Sequence, residues 1–125
     1  MGALKITARD APTGPVLEIA GELDCTNAAE LPDLLTTIPL QPGQRIVLDL
    51  AGLEFCDSSG VSALIAARNL AGAAQADVVL AAVPAHTLRV LRIVGLDEIF
   101  SFHPDSDAAT RPRPWRRHRA LPRCV

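Results

Sequence analysis

Two short runs, Ile46–Leu50 and Val78–Val83, constrain the fold more than any other feature of the chain. Both are mostly apolar, and Val78–Val83 has no polar residue at all. They are too short for helices and are bounded by turn residues. Such runs read as strands buried on both faces, which parallel sheets contain. Between them, residues 58–74 are rich in Ala and Leu and read as a helix. A strand, a helix and a strand in succession imply parallel pairing through a right-handed crossover.

The flanking segments extend this pattern. Residues 4–9 alternate apolar and polar, and the alternation resumes from Val16 to Leu23. The cluster Asp10–Pro15 lies between them, so the chain opens on a β-hairpin. Asn27 and Glu30 have the spacing of a capping pair. Leu31, Leu34, Leu35 and Ile38 then repeat along one helical face, although Pro32 leaves open where regular helix begins. Pro84 opens a third helix, with Thr87, Val90, Leu91 and Val94 on one face and Gly95 closing it. Ile99–Phe102 reads as a last strand. The expected class is therefore α/β, a mixed sheet with helices packed on it.

Composition narrows the possibilities. The 125 residues suit one domain, and aromatics make up only 3%, so the core must be aliphatic. Stacking platforms for single-stranded nucleic acid need more aromatics than that. The net charge of −2 hides two unlike parts. Residues 1–107 carry all 14 acidic groups and 6 of the 12 basic ones, whereas residues 108–125 hold six Arg and no acid. The expected organisation is a domain over 1–107 and an Arg/Pro-rich basic tail over 108–125. The acidic body repels nucleic acid and anionic membranes, so only the tail offers them a site.

No stretch is long and apolar enough to span a membrane, and the N-terminus lacks the layout of a signal peptide. Cys25, Cys56 and Cys124 have neither metal-ligand spacing nor an even count. A cytoplasmic protein without metal or cofactor is expected. Cys25 and Cys56 each follow a strand end, so they are a candidate redox pair if the two strands are neighbours, or two unrelated small residues if not.

The chemistry concentrates in Leu48–Val61. There a strand leads into a helix start at Asp57-Ser58-Ser59-Gly60. Asp and Ser at this point are N-cap residues, and one reading needs nothing more. A second reading uses the same physics. A helix N-terminus carries unpaired amides and a partial positive charge, and it is a natural seat for a phosphate. A serine there accepts a phosphate without unfolding the domain, and the added charge repels a docked partner. Nothing points to catalysis. There is no nucleophile elbow, and no sequence signal sets His86, His103 or His118 beside Ser58.

Gly21-Glu22-Leu23-Asp24, then Asp57-Ser-Ser-Gly-Val61, then Pro84 to Phe100 with Arg89-Val-Leu and Gly95-Leu, resemble a bacterial STAS domain of the anti-sigma factor antagonist family. The resemblance covers roughly residues 4–107. It implies a STAS-type sheet and a regulator rather than an enzyme. The implied partner is an anti-sigma factor with ATP-dependent serine kinase activity. Binding it frees a sigma factor, phosphorylation of the antagonist ends the complex, and a serine phosphatase resets the cycle. The position implied for phosphorylation is Ser58. Asp57 is implied to orient Ser58 or the kinase's metal–nucleotide, Ser59 to supply the second hydroxyl, and Gly60 to admit the kinase backbone. Gly21, Glu22 and Asp24 are expected in a neighbouring loop.

Ser58, Ser62, Ala66, Asn69 and Ala73 share one stripe of the helix, all small or polar. This stripe is either a docking face for the partner or an Ala-rich solvent face. Two further readings stay open: a STAS subunit of a transporter or stress-signalling assembly, and a tail-mediated binder of nucleic acid or membrane surface. The family ordinarily ends on a closing helix, which Pro112 and Pro114 cut short here.

Overall fold

The computed structural model describes residues 3–110. Of the basic tail expected over 108–125, residues 111–125 with Trp115, His118 and Cys124 lie outside them, while residues 108–110 are described and helical. One six-stranded mixed sheet organises the chain. Strands β1 (Leu4–Ala11) and β2 (Gly14–Leu23) form the opening hairpin, with Ile6 opposite Ile19. Its turn is tighter than the Asp10–Pro15 cluster suggests, because the strands run on to Ala11 and restart at Gly14. All other pairings are parallel. The order across the sheet is β1-β2-β3-β5-β6, with β3 at Arg45–Asp49, β5 at Asp77–Ala81 and β6 at Ser101–His103.

A strand that the sequence reading passed over, β4 (Leu53–Cys56), also pairs with β2. Residues 16–18 of β2 face β3, and residues 21–23 face β4. Gly21 makes this change of partner, with φ +98 and a register shift beside it. A Cβ on Gly21 would collide with the Ala3 carbonyl, so backbone geometry and space both demand glycine. β4 escaped the periodicity because it has four residues, and its two middle ones, Glu54 and Phe55, are both exposed.

Helices α1 (Glu30–Thr36), α2 (Ser58–Ala73) and α3 (Ala85–Ile93) cover one face of the sheet. Leu31, Leu35, Leu64, Ala67 and Leu91 meet Leu17, Ile46, Leu48 and Leu80 there, all buried. Each fully buried leucine contributes about 1.5–3 kcal/mol. The expected capping pair of α1 is absent: the helix starts after Ala29, with no side-chain cap, and Asn27 is used elsewhere. Val94 was expected on the inner face of α3. It is 55% exposed, because it is the C-terminal cap where the chain leaves the sheet. Gly95 follows with φ +82 and ends the helix as expected. A single 3-10 turn, Leu96–Glu98, leads to β6, so Ile99 and Phe100 precede the last strand.

A short helix, α4 (Ser106–Thr110), lies on the opposite face. Its Ala109 is fully buried with Val16, Val47, Val79 and Ala81. The Asp105 carboxylate accepts the Ala108 amide at 2.8 Å and starts this helix. The buried Arg45 side chain donates to the Ala109 carbonyl at 2.7 Å, and Thr13 Oγ1 donates to the Thr110 carbonyl at 3.4 Å. Among the described residues the closing helix thus runs for five residues, and polar bonds hold Ala109 and Thr110.

Candidate functional site

The site lies at the carboxyl ends of the parallel strands, where open α/β sheets carry their functional loops. β2 and β4 end in register, Leu23 opposite Cys56. Asp24 and Asp57 therefore leave the sheet side by side, and the Asp57 amide donates to the Leu23 carbonyl at 3.3 Å. This is the juxtaposition expected of the two motif loops. Gly21 and Glu22, expected in the same loop as Asp24, belong instead to β2. Their alternation lapses at the bulge, which resembles the end of a strand in sequence.

Asp57 is the N-cap of α2. Its backbone is extended, and Oδ1 accepts the Ser59 amide at 2.8 Å and the Gly60 amide at 3.1 Å. Two of the four orphan amides of the helix are thereby taken. The phosphate seat envisaged from sequence already holds a carboxylate. Ser58 is the first helical residue and is exposed, and Ser59 is half-buried.

Gly60 faces inward. A Cβ there would lie 2.6 Å from Cys56 Sγ and 2.8 Å from the Leu23 carbonyl oxygen. Its small size is required by packing between α2 and the ends of β2 and β4. The Cys56 thiol is buried, and burial, aided by the Asp57 charge, pushes its pKa up to about 11. Cys25 is exposed, and both thiols are free, so no disulfide links the candidate pair. A thiol held protonated is a poor nucleophile.

The neighbouring loop is stitched from within. Asp24 Oδ1 accepts Thr26 Oγ1 at 2.6 Å and the Thr26 amide at 3.0 Å. These two bonds hold its carboxyl below the ordinary range. Asn27 is 6% exposed and clamps the base of the loop. Its amide nitrogen donates to the Glu22 carbonyl at 2.9 Å, and its Oδ1 accepts the Asp24 amide at 3.0 Å. Sequence reasoning missed this role. The available signal was an Asx-turn residue, Asp24, directly after the strand and three positions before an Asn.

Along α2 the expected stripe faces outward. Ser58, Ser62, Asn69 and Ala73 are exposed and Ala66 is half-buried, while Val61 and Leu64 are buried against the sheet. A cleft of about 360 Å³ at the far end of the helix is lined by Arg68, Asn69, Gly72 and Ile99 among others, and does not reach Ser58. The described histidines lie elsewhere: His86 is in the first turn of α3 with Nδ1 3.2 Å from Thr87 Oγ1, and His103 is in β6. Among the described residues no helix is long and apolar enough to cross a membrane, and no cluster of His, Cys, Asp and Glu is arranged to hold a metal ion.

Residues 6–101 match a protein family described as "Mlab, STAS domain". The anti-sigma-F factor antagonist RsfB of Mycobacterium tuberculosis is 30% identical over 115 residues, covering 91% of this chain and 93% of RsfB. The crystal structure of an anti-sigma factor antagonist from Mycobacterium paratuberculosis superposes with a TM-score of 0.74 at 25% identity, over 86% of this chain and 91% of that one. The anti-sigma factor antagonist SpoIIAA in its unphosphorylated form shares the fold, with a TM-score of 0.65 at 20% identity over 85% and 92% of the two chains. With residues 6–101 matched by the family and 91% of its length aligned with RsfB, this chain belongs to the STAS-domain family, the family of the anti-sigma factor antagonists it resembles.

Proposed function

We propose that the chain is a cytoplasmic anti-sigma factor antagonist that switches partners through phosphorylation of Ser58. The observation that carries this reading is the exposed hydroxyl of Ser58 at the first position of a helix whose start is fixed independently by Asp57. A kinase can modify such a hydroxyl without disturbing the fold. The phosphate adds about −1.5 to −2 charges at the top of the outward stripe of α2. The Ser59 and Gly60 amides, which would otherwise receive that charge, are already held by Asp57. The charge therefore acts outward, on whatever is docked at Ser58, Ser62, Ala66 and Asn69. The relatives named as anti-sigma factor antagonists supply the class of partner, an anti-sigma factor. Kinase activity in that partner and a serine phosphatase complete the cycle.

The test is incubation with ATP and the ATP-binding anti-sigma factors encoded in the same genome, followed by phosphopeptide mapping. Phosphate is expected on Ser58. Ser58→Ala should bind the partner and resist phosphorylation, and Ser58→Asp should bind it weakly. Ala66→Arg with Asn69→Arg should weaken binding and leave the melting temperature unchanged. Phosphate on Ser59 with Ser58 unmodified overturns the assignment.

A further inference from the structure

We propose that the cleft between the end of α2 and the start of β6 binds a small monocarboxylate, an aliphatic acid that is either free or the last residue of a peptide. The cleft lies at the end of α2 away from Ser58, so the proposal does not depend on the role of that serine.

The floor of the cleft is the uncovered first part of β5. β6 pairs with β5 only from Val79, opposite Ser101, so Asp77 and Val78 have no strand neighbour on that side. The direction of the backbone groups alternates along β5. The Asp77 amide donates to the Gln44 carbonyl, and the Ala81 carbonyl accepts the Leu50 amide, both on the β3 side. The Ala82 amide donates to the His103 carbonyl, on the β6 side. The Val78 amide therefore turns toward the β6 side as well, and there it opens into the cleft. No acceptor meets it among the described residues. Val78 is only 7% exposed, and a residue so buried seldom leaves its amide without a partner. The cleft is the route by which an acceptor reaches it.

Two further donors line the same space. Arg68 and Asn69 belong to α2, and neither side chain has a hydrogen bond or ion pair among the described residues. Gly72, one turn further along, has no conformational need to be glycine. Its φ is not positive, and a Cβ on it would stand in open space. Glycine weakens a helix, so what this residue preserves is the room above it.

The chemistry of the ligand follows from these groups. Donors that include a guanidinium select a negatively charged acceptor, and Arg binds a carboxylate through two parallel bonds. Asp77 lines the cleft too, and Asp97 and Glu98 stand in the turn before Ile99. These charges disfavour a dianion such as phosphate, whereas the single charge of Arg68 balances one carboxylate. Ile99 is 41% exposed and gives the cleft an apolar wall, which selects an aliphatic body. The volume of about 360 Å³ falls within the range of small-molecule sites, ~300–1,000 Å³.

The experiment titrates the full isotope-labelled chain with isovalerate at constant ionic strength and follows the backbone amides. The Val78 amide should shift downfield and saturate, while the amides of Thr26, Ser58 and Ser59 should stay in place. Isovaleramide, of the same shape without the charge, should leave Val78 unmoved. Arg68→Gln should weaken binding about tenfold or more, the loss of a charged hydrogen bond. Gly72→Leu should abolish binding while the melting temperature holds or rises, because the new side chain fills the cleft and favours helix. Binding of N-acetyl-leucine more tightly than isovalerate would assign the site to a peptide end, and the reverse order to a free acid. Absence of a saturable shift at Val78, an equal response to isovaleramide or to inorganic phosphate, or binding left unchanged by either substitution overturns the proposal.

Discussion

At the scale of single residues, the Asp57–Gly60 segment divides its labour between its first and last members. Asp57 satisfies the helix start, and Gly60 lets that start sit against the sheet. Asp57→Ala should lower stability by about 0.5–2 kcal/mol, the ordinary loss of an N-cap. Gly60→Ala should cost more, about 1–3 kcal/mol, because one of its two clashes is with backbone, the Leu23 carbonyl, which cannot swing aside. Urea unfolding of the two variants checks the order, and a milder Gly60→Ala would contradict the packing argument. Asp57 was legible in the sequence because N-cap chemistry is local. The reason for Gly60 was not, because it depends on Cys56 and Leu23, brought together only by the pairing of β2 with the unforeseen β4.

The same contact makes a prediction about pH. Burial raises the Cys56 thiol from its ordinary value of 9.0 to about 11, with Asp57 adding to the shift. Below the ordinary value both folded and unfolded chains keep the proton, and the thiol's contribution is fully present. Between about 9 and 11 the unfolded chain loses the proton while the folded chain holds it. Stability should therefore fall as pH rises through this window. Comparison of the native chain with Cys56→Ala by urea unfolding between pH 8 and 11 isolates the effect, since the variant should lose the part of the slope owed to this thiol.

At the scale of elements, α2 is well started and imperfectly stopped. It ends in a Schellman arrangement, with the Ala76 amide on the Ala71 carbonyl at 2.8 Å and the Gln75 amide on the Gly72 carbonyl at 3.0 Å. That motif places Gln75 at φ +62, a left-handed conformation that costs a side-chain-bearing residue roughly 1–2 kcal/mol. Gln75→Gly should raise the melting temperature and leave partner binding unchanged, since Gln75 lies at the opposite end of the helix from Ser58. α1 was readable from its one apolar face, α2 from its Ala and Leu content, and the buried strands from their continuous apolar runs. Elements too short to show a period were not, and their existence is fixed by what they pair with: β4 by β2, and the 3-10 turn by the approach to β6.

At the scale of the whole molecule, the sheet separates two faces that are packed independently. The face under α1, α2 and α3 carries Ser58 at its edge, and the other face is closed at one end by the described residues of α4. From sequence, Pro112 and Pro114 were expected to cut this closing helix short, which raised the problem of how the last apolar surface is covered. One small residue solves much of that problem, because Ala109 fits against Val16, Val47 and Val79 where a larger side chain would not. Arg45 then anchors the helix end through the Ala109 carbonyl. Ala109→Asp puts a carboxyl where there is neither water nor space, and should cost about 3 kcal/mol or more. α4 should detach, with faster amide exchange in Val47 and Val79 than in Leu64. The inner face is built from other residues, so the rate of Ser58 phosphorylation, measured well below the lowered melting temperature, should stay at the level of the unaltered chain. A parallel loss of phosphorylation would mean that the two faces communicate through β3 and β5, and that α4 is part of the switch.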